Sequence, residues 1–393
     1  MTHRHPPGAV RITCGLALSA ILAAGCASAA TTTTTPPTVT TAGSPATTAP
    51  ATTDPVSGAA PTATAPSRTT ATADSTSTTA PATTTTAAEA DPAVIGRLAA
   101  TVVLVALQGP FLDEDAAAHL VAGGRSVLVS AAVDRLQVRA LSSDAACTAG
   151  DPVIVAIEQD LGQPPRITGL AAALPGVEEA RSMGPGAVAD TARTFGDELQ
   201  SLGVNLNLAP AVDVAAGDDP GAVAGIGAAL IGGLGESGVG SAPGHFPGTG
   251  RADGGAVIGV SLDDLVARDL VPFEAAVDAG APMVIVAAAL FPAVDPGVPA
   301  NRSPVVFALL RDSLGFDGVA LGEAEGGAAA VEALAAGIDL LLVGDGAAAG
   351  PVAREIADAV EEGRLPFGRL TEAAGRVERL ASSLARIPCV TDG

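Results

Sequence analysis

Short apolar runs alternate with longer amphipathic segments from residue 91 to the C-terminus. The runs are rich in β-branched residues and apolar on both faces, which is typical of strands that are covered on both sides. The longer segments have the spacing of apolar positions expected of surface helices. The predicted strands are Thr101–Leu107, Ser126–Ser130, Pro152–Ile157, Val204–Leu208, Pro282–Ala287, Gly318–Leu321 and Ile338–Val343. The predicted helices are Ala187–Leu202, Ala222–Leu234, Ser261–Ala279, Val305–Leu314, Ala328–Ala336, Val352–Glu362 and Leu370–Leu384.

This alternation predicts an α/β fold with a mainly parallel sheet. Seven or eight strand–helix repeats in about 300 residues fit a (β/α)8 TIM-type barrel, which we expect over residues 91–393. A doubly wound open sheet is the alternative. In both folds ligands bind where strands end and loops begin, so candidate site residues are sought at those positions.

Residues 1–25 have the pattern of an export signal. Arg4 and Arg11 precede an apolar run, Ile12–Gly25, that is too short to cross a bilayer easily. The small residues before Cys26 resemble the lipobox of bacterial lipoproteins, which implies cleavage before Cys26 and lipidation of its side chain. The alternative is an ordinary signal peptide cut after Ala29. We therefore expect an exported protein that is lipid-anchored to the cell membrane and faces outward.

Residues 26–90 form a predicted linker. Between residues 31 and 86 the chain has 24 Thr and 8 Pro. A segment of this composition cannot bury enough apolar surface to offset the entropy of ordering it, so we expect a disordered tether. As a flexible coil it would span roughly 40–50 Å and hold the next domain away from the membrane.

Charge and composition restrict the partners, metal sites and cofactors that are expected. The chain has 20 Lys+Arg, all of them Arg, against 42 Asp+Glu, and a net charge of -22, so nucleic acid is not an expected partner. His119 and His245 are the only histidines beyond the signal region, which argues against a multi-histidine metal site. Neither a metal nor a cofactor is expected. In an exported protein, Cys147 and Cys389 are expected to form a disulfide rather than supply a nucleophile.

Three motifs occur in a fixed order along the predicted barrel. They are the run Gly203–Val214, the tetrapeptide His245-Phe246-Pro247-Gly248 and the run Leu314–Val319. These motifs resemble the signatures of glycoside hydrolase family 3, and the chain is similar to its single-barrel bacterial β-N-acetylglucosaminidases from about Val94 to Leu384. The resemblance implies a barrel that cleaves glycosidic bonds with retention, using a carboxylate nucleophile and a second group that protonates the leaving oxygen.

The nucleophile position is altered in this chain. The family has an aspartate in a Ser-Asp pair just after Phe-Asp-Gly-Val, where this chain has Gly322-Glu323. Glu323 is therefore the candidate nucleophile, at the C-terminal end of its strand. Its carboxylate would project about 1–1.5 Å further, a displacement that can cost on the order of 10²-fold in rate. The alternative for Glu323 is a solvated loop acid without a catalytic role.

The proton donor is more severely altered. The family has a Lys-His-Phe-Pro-Gly-His-Gly run followed by a loop with an Asp-Ser-His, whose Asp–His pair handles the proton. The run Gly244–Gly250 lacks the lysine and the second histidine, and the shorter loop Arg251–Val260 has no histidine. Asp253 is the only carboxylate in that loop and a weak acid/base candidate. Loss of a positioned donor costs ~10²–10⁴-fold in rate.

The candidate substrate-binding residues are Glu158, Arg166 and His245. Glu158 and Arg166 correspond by resemblance to an Asp and an Arg of the family's Asp-Gln-Glu-Gly-Gly…Arg stretch. The family's arginine after Asp213 and its histidine near Ala288 are missing. Each candidate also has a purely structural interpretation, in which His245 forms a hydrogen bond in the barrel mouth and Arg166 pairs with Glu158 or Asp160.

Two functions from different classes remain open. The first is a weakly active or inactive envelope protein that binds a cell-wall glycan or an envelope protein. The second is an active retaining glycosidase acting on β-N-acetylglucosaminides, such as peptidoglycan fragments, with Glu323 as nucleophile and Asp253 or another residue as acid/base. A weaker third interpretation makes the barrel only a spacer on its tether. We favour the first, because several parts of the expected site are missing together.

Overall fold

The computed structural model describes residues 91–150, 152–252, 256–323 and 326–390. The predicted signal peptide, Cys26 and the linker lie outside the described residues, and so does Asp253. Within the described ranges, no helix is both long and apolar enough to cross a membrane.

The central sheet has eight parallel strands and confirms the predicted TIM-type barrel. Its edges meet because the backbone N–H of Phe246 donates to the carbonyl of Ile285 (2.8 Å) and the N–H of Ala287 donates to the carbonyl of Phe246 (2.9 Å). These bonds exclude the open-sheet alternative. The strands are β1 Val103–Leu107, β2 Ser126–Val129, β3 Ile154–Ile157, β4 Leu206–Asn207, β5 Gly240–Ser241, β6 Met283–Ile285, β7 Val319–Glu323 and β8 Leu340–Val343. Their order in the sheet is β5-β4-β3-β2-β1-β8-β7-β6.

Helices surround the barrel, and every predicted helix is present in some form. The predicted helix Ser261–Ala279 is not uniform, because a π-helical stretch, Leu265–Asp269, separates α7 from α8. The prediction omitted the first four helices. The helices are α1 Pro92–Thr101, α2 Glu114–Val121, α3 Arg135–Ala149, α4 Val177–Met183, α5 Pro185–Ser201, α6 Pro220–Glu236, α7 Leu262–Asp264, α8 Val271–Asp278, α9 Pro304–Ala308, α10 Gly327–Ala336, α11 Gly346–Glu361 and α12 Phe367–Ser383.

Strand β5 was also missing from the prediction, for a steric reason. Its sequence is Gly240-Ser241, which has none of the β-branched residues that identify the other strands. A Cβ atom at Gly240 would lie only 2.8 Å from a side-chain carbon of Leu384 and 3.0 Å from one of Leu206. The tight packing at this position therefore selects a residue that local propensity does not associate with a strand.

Successive strand residues face opposite layers of the core. Leu104 and Ala106 of β1 belong to the cluster inside the barrel. Val103, Val105 and Leu107 of the same strand belong to the larger cluster between the strands and the surrounding helices. Burial on both faces explains why the strands are almost wholly apolar.

The base of the barrel, at the N-terminal ends of the strands, holds a charged cluster. Asp339 is fully buried and immediately precedes β8. Its carboxylate accepts from Arg311 at 2.6 Å, Arg369 at 2.8 Å and Arg376 at 3.4 Å. These contacts pair the buried charge and hold three segments of the chain to one point.

The C-terminal segment forms a strap across the base, defined here as residues 385–390. The side-chain amide of Asn205 donates to the carbonyl of Ala385 (3.0 Å), and the N–H of Ala385 donates to the carbonyl of Gly238 (3.1 Å). A disulfide joins Cys147 of α3 to Cys389, with a Cα–Cα distance of 4.7 Å. The strap thus holds the end of the chain to an early helix.

Candidate functional site

Polar side chains converge on the mouth of the barrel, at the C-terminal ends of the strands. Glu158 directly follows β3, and Glu323 is the last residue of β7. Asp213 and His245 lie on the segments that leave β4 and β5. Because the strands are parallel, their C-terminal ends meet at one rim, which brings together residues that are far apart in the sequence.

Glu158 and Arg166 form an ion pair at this rim. Nη2 of Arg166 lies 3.4 Å from Oε2 of Glu158, and Nε donates to the Glu158 carbonyl at 3.2 Å. The backbone N–H of Arg166 donates to Oε1 of Gln159 at 2.7 Å, which holds Arg166 close to the end of β3. Burial raises the pKa of Glu158, although the charges of Arg166 and His245 oppose that rise.

His245 is held by Asp213. Nδ1 of the imidazole lies 2.8 Å from Oδ2 of Asp213, and the backbone N–H of His245 donates to the same oxygen at 3.2 Å. The other carboxylate oxygen of Asp213 accepts from the backbone N–H of Thr249 (2.5 Å) and from its hydroxyl (3.0 Å). The ring is therefore fixed through one nitrogen, and Nε2 is the nitrogen that can serve a ligand.

The electrostatics of this pair favour a charged imidazolium beside a carboxylate. Burial alone lowers the pKa of His245, but the hydrogen bond to Asp213 and the charges of Asp213, Glu158 and Glu323 outweigh burial, so the pKa is raised. Burial alone raises the pKa of Asp213, but its hydrogen bonds from His245 and Thr249 outweigh that effect, so its pKa is lowered.

Asp160 has a structural role at the same rim. Its carboxylate accepts from the backbone N–H of Ala211 and from that of Leu161, both at 2.8 Å. Burial raises the pKa of Asp160, and these two hydrogen bonds partly offset the rise. Asp160 thus joins the segment after β3 to the segment after β4, while Arg166 pairs with Glu158.

Glu323 ends β7 in a partly buried position. Its backbone carbonyl accepts from the side-chain amide of Asn301 at 3.4 Å. The preceding Gly322 packs tightly, since a Cβ atom there would lie 2.6 Å from Cδ1 of Ile338. The Glu323 carboxylate is close enough to raise the pKa of His245 by its charge. Its role as a nucleophile stays a prediction.

The loop that follows His245 is fastened to the barrel. Thr249 donates two hydrogen bonds to Asp213. A Cβ atom at Gly250 would lie 2.6 Å from the backbone carbon of Val214, so the two backbones are in direct contact. Arg251 forms an ion pair with Asp269, which is almost fully buried. The acid/base role of Asp253 stays a prediction, because that residue lies outside the described ranges.

The sequence interpretation missed Asp213 as a site residue. Asp213 was used only as part of a motif, yet a carboxylate soon after a buried strand is a recognisable signal for a site in a barrel. Among the described residues, no group of three or more His, Cys, Asp or Glu side chains is arranged to hold a metal ion.

A profile of a known protein family matches most of the barrel. The "Glycosyl hydrolase family 3 N terminal domain" matches residues 111–380. The chain belongs to glycosyl hydrolase family 3. The match covers most of the barrel described above and confirms the resemblance carried by the three motifs.

Individual relatives agree with this family. The "Beta-hexosaminidase" of Xanthomonas campestris pv. campestris (strain B100) is 31% identical over 272 residues, which is 61% of this chain and 81% of the relative.

Two solved family 3 structures are also similar. The β-N-acetylglucosaminidase of Paenibacillus sp. str. FPU-7 has a TM-score of 0.70 and 25% identity, covering 76% of this chain and 66% of its own. The β-N-acetylhexosaminidase of Beutenbergia cavernae DSM 12333 has a TM-score of 0.65 and 26% identity, covering 73% of this chain and 98% of its own.

Proposed function

We propose that this protein is exported, carries a lipid on Cys26 that anchors it to the outer side of the cell membrane, and binds a cell-wall glycan at its barrel mouth. The glycan contains β-N-acetylhexosaminide units, and the protein hydrolyses it slowly or not at all. The observation that carries the proposal is the convergence of Glu158, Arg166, His245 and Glu323 on one rim of a family 3 barrel.

The rim offers the donors and acceptors that a sugar needs. The side chains of Glu158 and His245 are 16% and 25% exposed, so each is largely buried and keeps some accessible surface. Carboxylate oxygens accept from sugar hydroxyls, and Nε2 of a protonated imidazole donates to them. Charge-assisted hydrogen bonds of this kind are the stronger ones in a binding site.

We expect slow hydrolysis because both the loop that follows His245 and the nucleophile position differ from the family pattern. The loop Arg251–Val260 has no histidine, and its beginning is fastened to Asp213 and Asp269 through Thr249 and Arg251. Loss of a positioned proton donor costs ~10²–10⁴-fold in rate. Family members have an aspartate at the nucleophile position, where this chain has Glu323. The longer side chain displaces the carboxylate by about 1–1.5 Å, which can lower the rate by a further factor on the order of 10².

One observation favours the second candidate, an active retaining glycosidase. The charge of Glu323 acts on His245, so a carboxylate and a proton-carrying group share the mouth. Such an enzyme would use Glu323 as nucleophile, and its substrate would be a β-N-acetylglucosaminide such as a peptidoglycan fragment. Asp253 or another group would then serve as acid/base.

Binding is tested by calorimetry with N-acetylglucosamine oligosaccharides and muropeptide fragments. We expect Glu158→Gln and Arg166→Ala to weaken binding at least ~10-fold, because each leaves a partly buried charge without its partner. Arg364→Ala is the matched control, since its ion pairs with Glu355 and Glu362 lie at the exposed C-terminal end of α11 and in the turn that follows it. A wild-type protein that binds none of these glycans would refute the proposal.

The anchor is tested separately in cells. Cys26→Ala should move the protein from the membrane fraction to the culture medium or leave it as an uncleaved precursor. Metabolic labelling with a radioactive fatty acid should mark the wild-type protein and not the variant. A wild type without label, together with cleavage after Ala29, would favour the ordinary signal peptide.

A further inference from the structure

We infer that Phe111 is an outer sugar-binding residue of the barrel mouth. Its ring stacks on the C–H face of a sugar unit next to the unit bound by Glu158, Arg166 and His245. This inference rests on the proposed function, because a glycan must occupy the mouth. The ligand class that it assigns is an oligosaccharide of at least two β-linked units, not a single sugar.

Phe111 is the exposed aromatic side chain of this protein. The sequence has 8 Phe and neither Trp nor Tyr, and all of the Phe residues lie in the described ranges. Phe111 is 62% exposed. Phe367 is partly buried and begins α12, which binds Asp339 at the base through Arg369. The others are buried: Phe195, Phe246, Phe273, Phe291, Phe307 and Phe316.

Phe111 lies in the loop at the C-terminal end of β1, between Leu107 and the start of α2. Strand β1 is separated by one strand from β3, which Glu158 follows, and by one strand from β7, which ends at Glu323. Because neighbouring strands are about 4.8 Å apart, β1 lies roughly 10 Å from each of these two strands. A separation of this size suits a sugar unit next to the one at Glu158.

The ring of Phe111 is turned back toward the end of its strand. Its edge carbons Cε1, Cζ and Cδ1 would lie 3.5, 3.6 and 3.9 Å from a Cβ atom placed at Gly109. Gly109 is the second residue after β1, so the edge of the ring lies over the backbone of the rim. More than half of the side chain is exposed, which leaves ring surface for a ligand.

The loop that carries Phe111 is held on both sides. The side-chain amide of Gln108 donates to the carbonyl of Gly344, which directly follows β8. Leu112 packs against the core between the strands and the helices, and the side chain of Asp113 caps α2. A ring on a fixed loop loses little conformational freedom when a ligand binds, and the cost of binding is lower for that reason.

The chemistry of stacking fits the proposed glycan. A β-linked pyranose with equatorial substituents presents C–H bonds on the faces of its ring. The face of an aromatic ring carries partial negative charge and attracts these hydrogens, and the contact also removes apolar surface from water. Hydroxyl groups of the glycan would bind the charged rim residues, while a neighbouring C–H face covers Phe111.

Calorimetry with N-acetylglucosamine and its linear β-linked trimer tests the contact. We expect Phe111→Ala to bind the trimer ~10-fold more weakly and the single sugar within ~2-fold of wild type, because the single sugar does not reach the ring. Phe111→Tyr keeps the ring and should keep the affinity for the trimer. Val121→Ala is the matched control, since Val121 is 75% exposed and ends α2 on the side away from the mouth.

Fluorescence gives a second readout, because the chain has no Trp. Phe111→Trp places the one indole of the protein at the rim, whereas Val121→Trp places it at the other end of α2. We expect the trimer to shift the emission of the Phe111→Trp protein to shorter wavelength, since stacking removes water from the indole. The emission of the Val121→Trp protein should not change.

The outcomes separate this inference from the proposed function. Equal trimer affinities for wild type and Phe111→Ala, or a Phe111→Trp emission that the trimer leaves unchanged, would overturn the inference and leave glycan binding at the rim intact. An equal loss of affinity for the single sugar and the trimer would also overturn it, because the ring would then not belong to an outer unit. A wild type that binds neither sugar would refute the proposed function as well.

Discussion

Two aspartates lie at opposite ends of this barrel, Asp339 fully buried and Asp213 mostly buried, and they have different partners. Asp339 at the base is surrounded by Arg311, Arg369 and Arg376, which keep their charge at every physiological pH. Asp213 at the mouth has His245, whose charge depends on pH. The base is therefore built for permanent pairing, whereas the mouth contains a pair that can change its protonation. The partners of the carboxylate therefore distinguish the structural role of Asp339 from the role of Asp213 in the candidate site.

The largest expected effect is at the base. Asp339→Asn should lower the free energy of unfolding by about 3–5 kcal/mol, because it leaves three arginine side chains without their shared buried anion. Urea denaturation measures the change. Asp317→Asn is the control, since Asp317 pairs with Arg376 from a 90% exposed position and should cost less than about 1 kcal/mol. Equal losses in the two variants would contradict the assignment of Asp339 as the main anchor.

The strap should contribute the next largest effect. Replacing Cys147 and Cys389 by Ser should lower the free energy of unfolding by about 2–4 kcal/mol, because the crosslink no longer restricts the unfolded chain. The control is Ser143→Ala, which removes only the hydrogen bonds to the backbone of Val390 and should cost about 1 kcal/mol. If a reducing agent leaves the wild type as stable as before, the disulfide does not hold the strap.

Asp213→Asn should cost about 2 kcal/mol near neutral pH, since it removes a charge-assisted hydrogen bond. The raised pKa of His245 adds stability that is fully present below its unfolded-state pKa of about 6.5 and is lost as pH rises through the folded-state pKa. The lowered pKa of Asp213 adds stability that is present above its unfolded-state pKa and is lost as pH falls through the folded-state pKa.

The difference in stability between wild type and Asp213→Asn should therefore be largest between the two unfolded-state pKa values, about 3.9 for Asp and about 6.5 for His, and should decline as pH passes through either folded-state pKa. Denaturation across a pH series measures it, with the His245 imidazole followed by NMR. The corresponding difference for Asp339→Asn should persist at high pH, because the arginines do not titrate there. If the stability differences caused by Asp213→Asn and Asp339→Asn changed with pH in the same way, the contrast drawn between base and mouth would be wrong.

An effect of similar size is expected where the loop that follows His245 contacts the barrel. Gly250→Ala should cost about 1–3 kcal/mol, because a Cβ atom would lie 2.6 Å from the backbone of Val214 and force the two segments apart. Gly259→Ala is the matched control, since no atom lies within 4 Å of its added Cβ. Thermal unfolding of both variants measures the effect. A Gly250→Ala protein as stable as its control would mean that the loop moves without cost.

Most strands and the later helices could be predicted from the sequence because their signals are local. Apolar runs such as Ile338–Val343 and helical periods such as Leu370–Leu384 depend on neighbouring residues. Strand β5 could not be predicted, because Gly240 is favoured by contacts with Leu384 and Leu206, not by strand propensity. Resemblance to a family supplied the candidate residues Glu158, Arg166, His245 and Glu323, and parallel topology explains why they share one rim.

The sequence by itself determined the family, the order of seven of the eight barrel strands and of the later helices, and the candidate residues at the strand ends. Only the tertiary structure decided which charges are paired, since Asp213 is 32 residues from His245 and Asp339 is 30 from Arg369. The physical reason is that hydrophobic periodicity acts between chain neighbours, whereas the pairing of a buried charge depends on which loops and helices the closed barrel brings to the same end.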